Sequence, residues 1–458
     1  MNLSSVVGIA STGLDSIGRQ LAVVSQNVAN ASTPGYARER QEISAEVAGG
    51  AGIGVRIGLT VRSMDVALQT EGFAASAVAT GQQVTADALS AIDAASGAPG
   101  SGRDLSALLG TVRDGFSALS GDPSSQTQQG AVIGQAGALA DGVTALAGVI
   151  GTARQAAQDN AVATVAQANA ALKTVGALSV QIRGAASRGE GTAQLEDARD
   201  GALQTIANLT GARVFHQADG SVLALAGGLE LPQDAATGPF ALAPATAGLA
   251  AGVAGPKLLL SGIDVTGQFA TQHTGQLGAN LALRDTILPG LQSSLDQFAL
   301  NLATSFQAQG LTLFTDGAGA VPGTATGFSS AIEVSPAVRA APTLVRDGSG
   351  PAGPAGNDAV ITAVLGGVFA TGPGTLAGQA TELTANIAAQ ASQAAARSKT
   401  GQAVATSLSA RLASTTGVSV DAELADLVKL QSAYTANARV LAATSQLWTD
   451  LFAAVTGR

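Results

Sequence analysis

Apolar residues recur at helical spacing near both ends of the chain. Leu14, Ile17, Leu21, Val24 and Val28 follow one another at intervals of 3, 4, 3 and 4, which draws a seam down a helix predicted from about Leu3 to Ala31. Near the other end Leu427, Leu430, Tyr434, Leu441, Trp448, Leu451 and Val455 keep the same rhythm, with polar Asn437 and Thr444 at the two remaining seam positions. A lone helix is marginal in water, and neither stripe has a neighbouring core in sequence to cover it. The two are therefore expected to pair with each other and with adjoining subunits. An ordinary intramolecular helical core is the competing reading of such stripes, and Asn437 fits either a drifting surface register or a seam position that specifies pairing.

Between the ends the period changes several times. After the first helix, Ser32, Thr33, Pro34 and Gly35 force a turn, because proline fixes one dihedral and glycine admits a positive one. Ile53, Val55, Ile57, Leu59 and Val61 then alternate with Gly54, Arg56, Gly58, Thr60 and Arg62, the mark of a half-buried strand. Helix is predicted from beyond Asp65 to about residue 205, broken near Gly97–Gly102 and at Gly121–Pro123, with Asp122 and Pro123 read as N-cap and first-turn residue. Val132, Ala136, Leu139, Val143, Leu146 and Ile150 then mark a long helix with an antiparallel companion. From about Gly211 to Gly267 short β-prone pieces alternate with Asp-Gly, Gly-Gly and Gly-Pro turn signals. Helix resumes over Leu277–Gln309, a loose Gly/Pro segment runs from Thr312 to Gly374, and helix returns over Thr375–Ala413. The final helix opens at Asp421, with Glu423 and Asp426 suited to its positive end.

These elements predict a mainly α chain with smaller β-rich insertions: an elongated multidomain rod whose terminal helices pair as a coiled coil. The expected division is 1–62 with 418–458 as a terminal coiled-coil domain carrying a small β element. Residues 63–205, 275–311 and 375–417 form a helical bundle, 206–274 a β-rich insertion, and 312–374 a Gly/Pro-rich loop or small β insertion. Both ends then lie at one pole, as a subunit that assembles through its termini requires.

Composition narrows the function. The net charge of -9, without a basic block, argues against nucleic acid or an anionic membrane as partner. Aromatics make up 3% and charged residues 12%, so helix faces are small and closely packable. Cysteine is absent, which removes disulfides, thiolate metal sites and thiol catalysis. The first thirty residues lack the basic and uninterrupted apolar regions of a cleavable signal, and no uninterrupted apolar run reaches membrane-spanning length. His216 and His273 are the only histidines and lie far apart in sequence; the glycine-rich strings Gly97–Gly102 and Gly317–Gly323 lack the Lys-Ser/Thr of a phosphate loop. No catalytic residue, cofactor site or metal site emerges.

The string from Asn27 to Tyr36, NVANASTPGY, followed by ARERQE, closely resembles the N-terminal signature of bacterial flagellar rod, hook and junction proteins. The matching C-terminal signature is similar over residues 417–452, with Glu423, Leu424, Leu427, Gln431, Tyr434, Ala436, Arg439 and Val440 at the family's positions. Three interior stretches, around residues 117–143, 194–214 and 275–306, resemble the junction members of that family. The resemblance implies a structural, non-catalytic role at the junction between hook and filament. It implies a ring of copies of this chain, contacts with hook protein and with a second junction protein, and a chaperone on the C-terminal helix before type III export to the cell exterior. The expected assembly interface is Leu14, Ile17, Leu21, Val24, Asn27, Val28, Asn30, Thr33, Pro34, Gly35, Tyr36 and Arg38 with Glu423, Leu424, Leu427, Leu430, Gln431, Tyr434, Asn437, Arg439, Leu441, Trp448, Leu451 and Val455. A hook or distal rod protein, and an extracellular enzyme exported by the same route, are the alternatives.

Overall fold

The protein is described from a computed structural model over all residues except 1–2, 34, 49, 98–101, 103, 218–219, 234–237, 246–247, 371, 373 and 458. The chain opens with α1 (Leu3–Asn30) and an antiparallel hairpin of β1 (Glu39–Ala48) and β2 (Ala51–Arg62). Helices α2 (Val66–Ser96), α3 (Leu105–Gly121), α4 (Gln126–Ser187) and α5 (Ala193–Thr210) follow. Strands β3 (Arg213–His216), β4 (Val222–Ala226) and β5 (Leu229–Glu230) form one antiparallel sheet, and β6 (Phe240–Leu242), β7 (Leu258–Leu260) and β8 (Ile263–Asp264) another. Next come α6 (Thr266–Gln272), α7 (Gly275–Ala282) and α8 (Leu288–Ala308), then the pair β9 (Phe314–Thr315) and β10 (Glu333–Val334). Short α9 (Pro336–Ala340), α10 (Leu344–Asp347) and α11 (Ala359–Gly367) precede the long α12 (Leu376–Thr416) and α13 (Val420–Thr456).

Local chemistry sets these boundaries. Asp65 caps α2 by accepting from the Leu68 amide at 3.0 Å, and Asp104 caps α3 through the Ala107 amide at 3.0 Å. The expected Asp122–Pro123 start of the long helix is corrected. Asp122 closes α3 through its own amide on the Leu119 carbonyl, its side chain holds Ser124, and Ser125 caps α4. Two more residues of turn let the chain reverse before α4 begins. Between α7 and α8 the ladder slips by one residue at Leu283–Ile287, where the Leu288 amide reaches the Leu283 carbonyl. This π turn lies just ahead of Pro289, whose missing N–H interrupts the regular ladder.

Two apolar cores share α4 as a spine, which at the usual rise is about 93 Å long. The first joins α3, the N-terminal half of α4, α8 and α12, with Phe116, Leu139, Leu302 and Phe306 fully buried. The second joins the C-terminal half of α4 with α5, α7 and the small sheets, through Leu172, Leu203, Val214, Leu258 and Phe269. One stretch of α4 is apolar enough by length and composition to span a bilayer, and 39% of it is buried inside the protein.

Two sequence expectations need revision. The segment 312–374 is not loose: Leu313, Phe314, Phe328, Val345, Ile361 and Val364 are buried in the first core, because its apolar residues sit between glycines and prolines that only supply turns. The alternating strand belongs to a two-stranded ribbon, so Ile53 and Leu59 are exposed in the isolated subunit, as are Ile43 and Val47 on β1.

Candidate assembly interface

α1 and α13 lie side by side outside both cores, running antiparallel. Asn27 meets Glu423, and a Cβ at Gly13 would stand 3.4 Å from Asn437 Oδ1, which fixes the register. On α1, Ile17, Val24 and Asn27 are buried, and Leu14, Leu21 and Val28 half-buried. On α13, Glu423 and Thr444 are buried, and Leu427, Leu430, Asn437 and Leu441 half-buried. Asn437 thus faces α1 and donates to the Ala433 carbonyl of its own helix at 3.2 Å.

The remaining positions separate into two groups. Leu424, Gln431, Tyr434 and Arg439 are exposed along the length of the pair. Trp448, Leu451 and Val455 occupy the seam face of α13, yet are 36%, 53% and 76% exposed. The antiparallel register explains this, because it brings Leu3, where α1 begins, level with about Leu447, so the last turns of α13 overhang. There Trp448 stacks on Phe452 with ring centroids 5.8 Å apart. Pro34 lies outside the described residues.

A polar lock closes the other end of the pair. The Asn27 carboxamide donates to the Glu39 carbonyl at 2.9 Å and to Glu423 Oε2 at 3.1 Å. Its oxygen accepts from the Glu39 amide and from the Tyr36 hydroxyl, both at 2.9 Å. Arg38 Nε donates to Glu423 Oε1 at 2.5 Å, and the Arg38 amide to the Thr416 carbonyl at 2.8 Å. One asparagine therefore ties α1, the turn, β1 and α13 together. Burial, with the charges of Glu39, Asp197 and Glu423, pushes the Tyr36 phenol above its ordinary value, which keeps it a donor to Asn27. The turn that delivers Tyr36 uses Gly35 at φ +81°, and the Thr33 hydroxyl caps back onto Asn30 Oδ1 at 3.3 Å.

Periodicity did not point to a second cluster below the hairpin. Arg62, at the end of β2, donates to Glu196 at 2.9 Å, to Asp197 at 2.6 Å and to Asp200 at 2.9 Å, all on α5. Gln69 of α2 adds a bond to Asp200 at 2.9 Å, and His216 Nε2 stands 3.7 Å from the same carboxylate. Burial raises the Asp197 carboxyl against the pull of Arg62, and raises Glu39 nearby, whose second perturber is Asp197. For Asp200 burial also pushes upward, but His216, Arg62 and Gln69 outweigh it and hold it below the usual range. The only local signal in sequence was the density of charge from Glu196 to Asp200 in a chain otherwise poor in charge.

A cavity of about 320 Å³ beside the β insertion is lined by Arg154 and Asp296. Both are committed to backbone: Arg154 donates to the carbonyls of Ala250, Val253 and Arg284, and Asp296 accepts from the amides of Gly327 and Ser329. Among the described residues no group of three or more His, Cys, Asp or Glu is placed to hold a metal ion.

Paired terminal helices, a hairpin at their root and a long helical body with small sheets inserted in mid-chain define a mainly α protein with smaller β-rich insertions. Residues 89–320, just over half of the chain, match the model of the flagellar hook-associated protein FlgK helical domain, and residues 9–36 match that of the flagella basal body rod protein. The chain belongs to the FlgK family of flagellar hook-associated proteins. A solved structure, the flagellar hook junction protein FlgK from Burkholderia pseudomallei, is similar at 21% identity and a TM-score of 0.42. That match covers 56% of this chain and 46% of the other, so the chain spans under half of that relative's length. No curated protein matches the chain.

Proposed function

We propose that this protein is a structural subunit of the junction between hook and filament in the bacterial flagellum. The observation that carries the reading is the family match over residues 89–320, a helical body that separates junction proteins from rod and hook proteins sharing only the terminal signature. In this role copies of the chain form a ring on the hook end through α1 and α13, and receive a second junction protein above. The overhang at Trp448, Leu451 and Val455 supports the reading, since among the described residues it leaves an apolar face without full cover at the pole where neighbours would meet. Export through the flagellar type III system, with a chaperone on α13 beforehand, and a place outside the cell complete the proposal. The subunit works by binding alone, without catalysis or cofactor.

The test is a deletion of roughly the last thirty residues, examined in cells. Hooks that remain intact while filaments are missing and flagellin is shed into the medium would support the junction role; normal filaments would refute it.

A further inference from the structure

The terminal module and the helical body are joined covalently at only two places, between β2 and α2 and between α12 and α13. Among the described residues, neither apolar core includes one from α1, the hairpin or α13. Two short linkers without apolar cover ordinarily make a hinge. Here charge fills the gap. We propose that Arg62 and the carboxylates of α5 form a locked joint that fixes the angle between the hairpin and the helical body.

The geometry is specific to one orientation. The Arg62 side chain is 8% exposed and spreads over three carboxylates spaced along one face of α5. Asp197 pairs with the Arg62 guanidinium at 2.6 Å and is largely buried, so it bears on the root of β2 from α5. The groups facing this joint are Tyr36, Arg38 and Glu39 from the turn and β1, Arg62 from β2, and Gln69 from α2. Glu196, Asp197, Arg199 and Asp200 come from α5, His216 from β3 and Glu423 from α13. Arg199 in turn donates to the Gly220 carbonyl at 2.9 Å, anchoring the cluster to the first sheet of the insertion. An apolar contact would let the two bodies slide, because burial has no direction. A forked guanidinium tolerates little rotation, and turning the hairpin would strand buried charges without partners.

The chain has no cysteine, so spin labels can be placed cleanly through Ser44→Cys on β1 and Thr205→Cys on α5, both exposed. Pulsed electron double resonance on the full subunit should give one narrow distance peak. Arg62→Gln should broaden or split that peak while far-UV circular dichroism stays unchanged. A narrow, unshifted peak in Arg62→Gln overturns the proposal. If Arg62→Gln loses helical signal, Asp197→Ala takes its place, since it frees one arm of Arg62 while Glu196 and Asp200 remain; an unchanged peak there overturns the joint equally. The measurement uses isolated subunits, so its outcome does not depend on the role in the flagellum.

Discussion

Replacing Glu423 with alanine is the sharpest probe of the terminal pair. The carboxylate is fully buried and accepts from Asn27 and Arg38, so its removal strands a buried carboxamide donor and unpairs a guanidinium. Breaking a buried pair by deleting one partner costs about 3–5 kcal/mol, and the lower end applies because the half-exposed Arg38 turns to water and Asp426. The apolar seam offers little reserve: Ala10, Ile17 and Val24 are the fully buried apolar residues of α1, and α13 buries Glu423 and Thr444. A loss of about 3 kcal/mol raises the opening constant about 160-fold. Hydrogen exchange resolved by peptide should therefore accelerate by about that factor in α1 and the first half of α13, while α4 stays protected by the two cores. Glu423→Gln keeps an acceptor of the same shape and should lose only about 1 kcal/mol. Equal acceleration in α4, or none in α13, would refute the claim that this lock holds the pair and acts locally.

Three further outcomes follow from the same geometry. Asp197 has its folded pKa raised, so the folded state keeps a proton that the unfolded chain has already released; its ionisation costs stability as pH rises, and none of that cost remains below the ordinary value of 3.8. Asp197→Asn should thus raise the thermal midpoint at pH 7, with the gain shrinking as pH falls toward 4; a midpoint lowered at pH 7 would show that the Arg62 pairing outweighs burial. Leu451→Ala and Val455→Ala should each shift the stability of the isolated subunit by no more than about 0.5 kcal/mol in urea titrations, because both side chains are more than half exposed. A triple variant that adds Trp448→Ala to these two should nonetheless fail to cap hooks in cells, and normal capping would remove the overhang from the interface. Gly275 sits at φ +67° with its α-carbon against the backbone of Thr210 and Gly211, so Gly275→Ala should cost about 1–3 kcal/mol in the second core, read as a lower calorimetric midpoint.

Much of the fold was readable because long helices advertise their period. The stripe from Val132 to Ile150 and the seam from Leu14 to Val28 each mark a buried face by spacing alone. Strand β1 was missed, since ERQEISAEVA carries charge where alternation would need apolar residues, and the ribbon it forms has no fully covered face. The order within 312–374 was missed for the opposite reason: single apolar residues separated by turns have no period, although together they fill one side of a core. Asn27, Tyr36 and Arg38 were singled out through the family resemblance, Glu423 also as a partner of the helix dipole, and their chemistry depends on a contact across 396 residues. Arg62 carried no mark at all, because its partners lie at least 134 positions away.

Period and register are separate properties, and the overhang shows why. The spacing of Leu427, Leu430, Leu441, Trp448 and Val455 says that they share a face, but nothing in that spacing says where a partner helix stops. Register is set instead by the polar contacts at Asn27 and Glu423, since an apolar seam of similar small residues would tolerate a slip of one turn at little cost. A one-turn slip would leave Glu423 buried without Asn27 and Arg38, a cost of several kcal/mol that no rearranged Leu or Val contact restores. The lock at one end therefore determines how many apolar turns protrude at the other. The length of uncovered α13 that a neighbouring subunit would meet follows from one buried asparagine about 36 Å away along the helix.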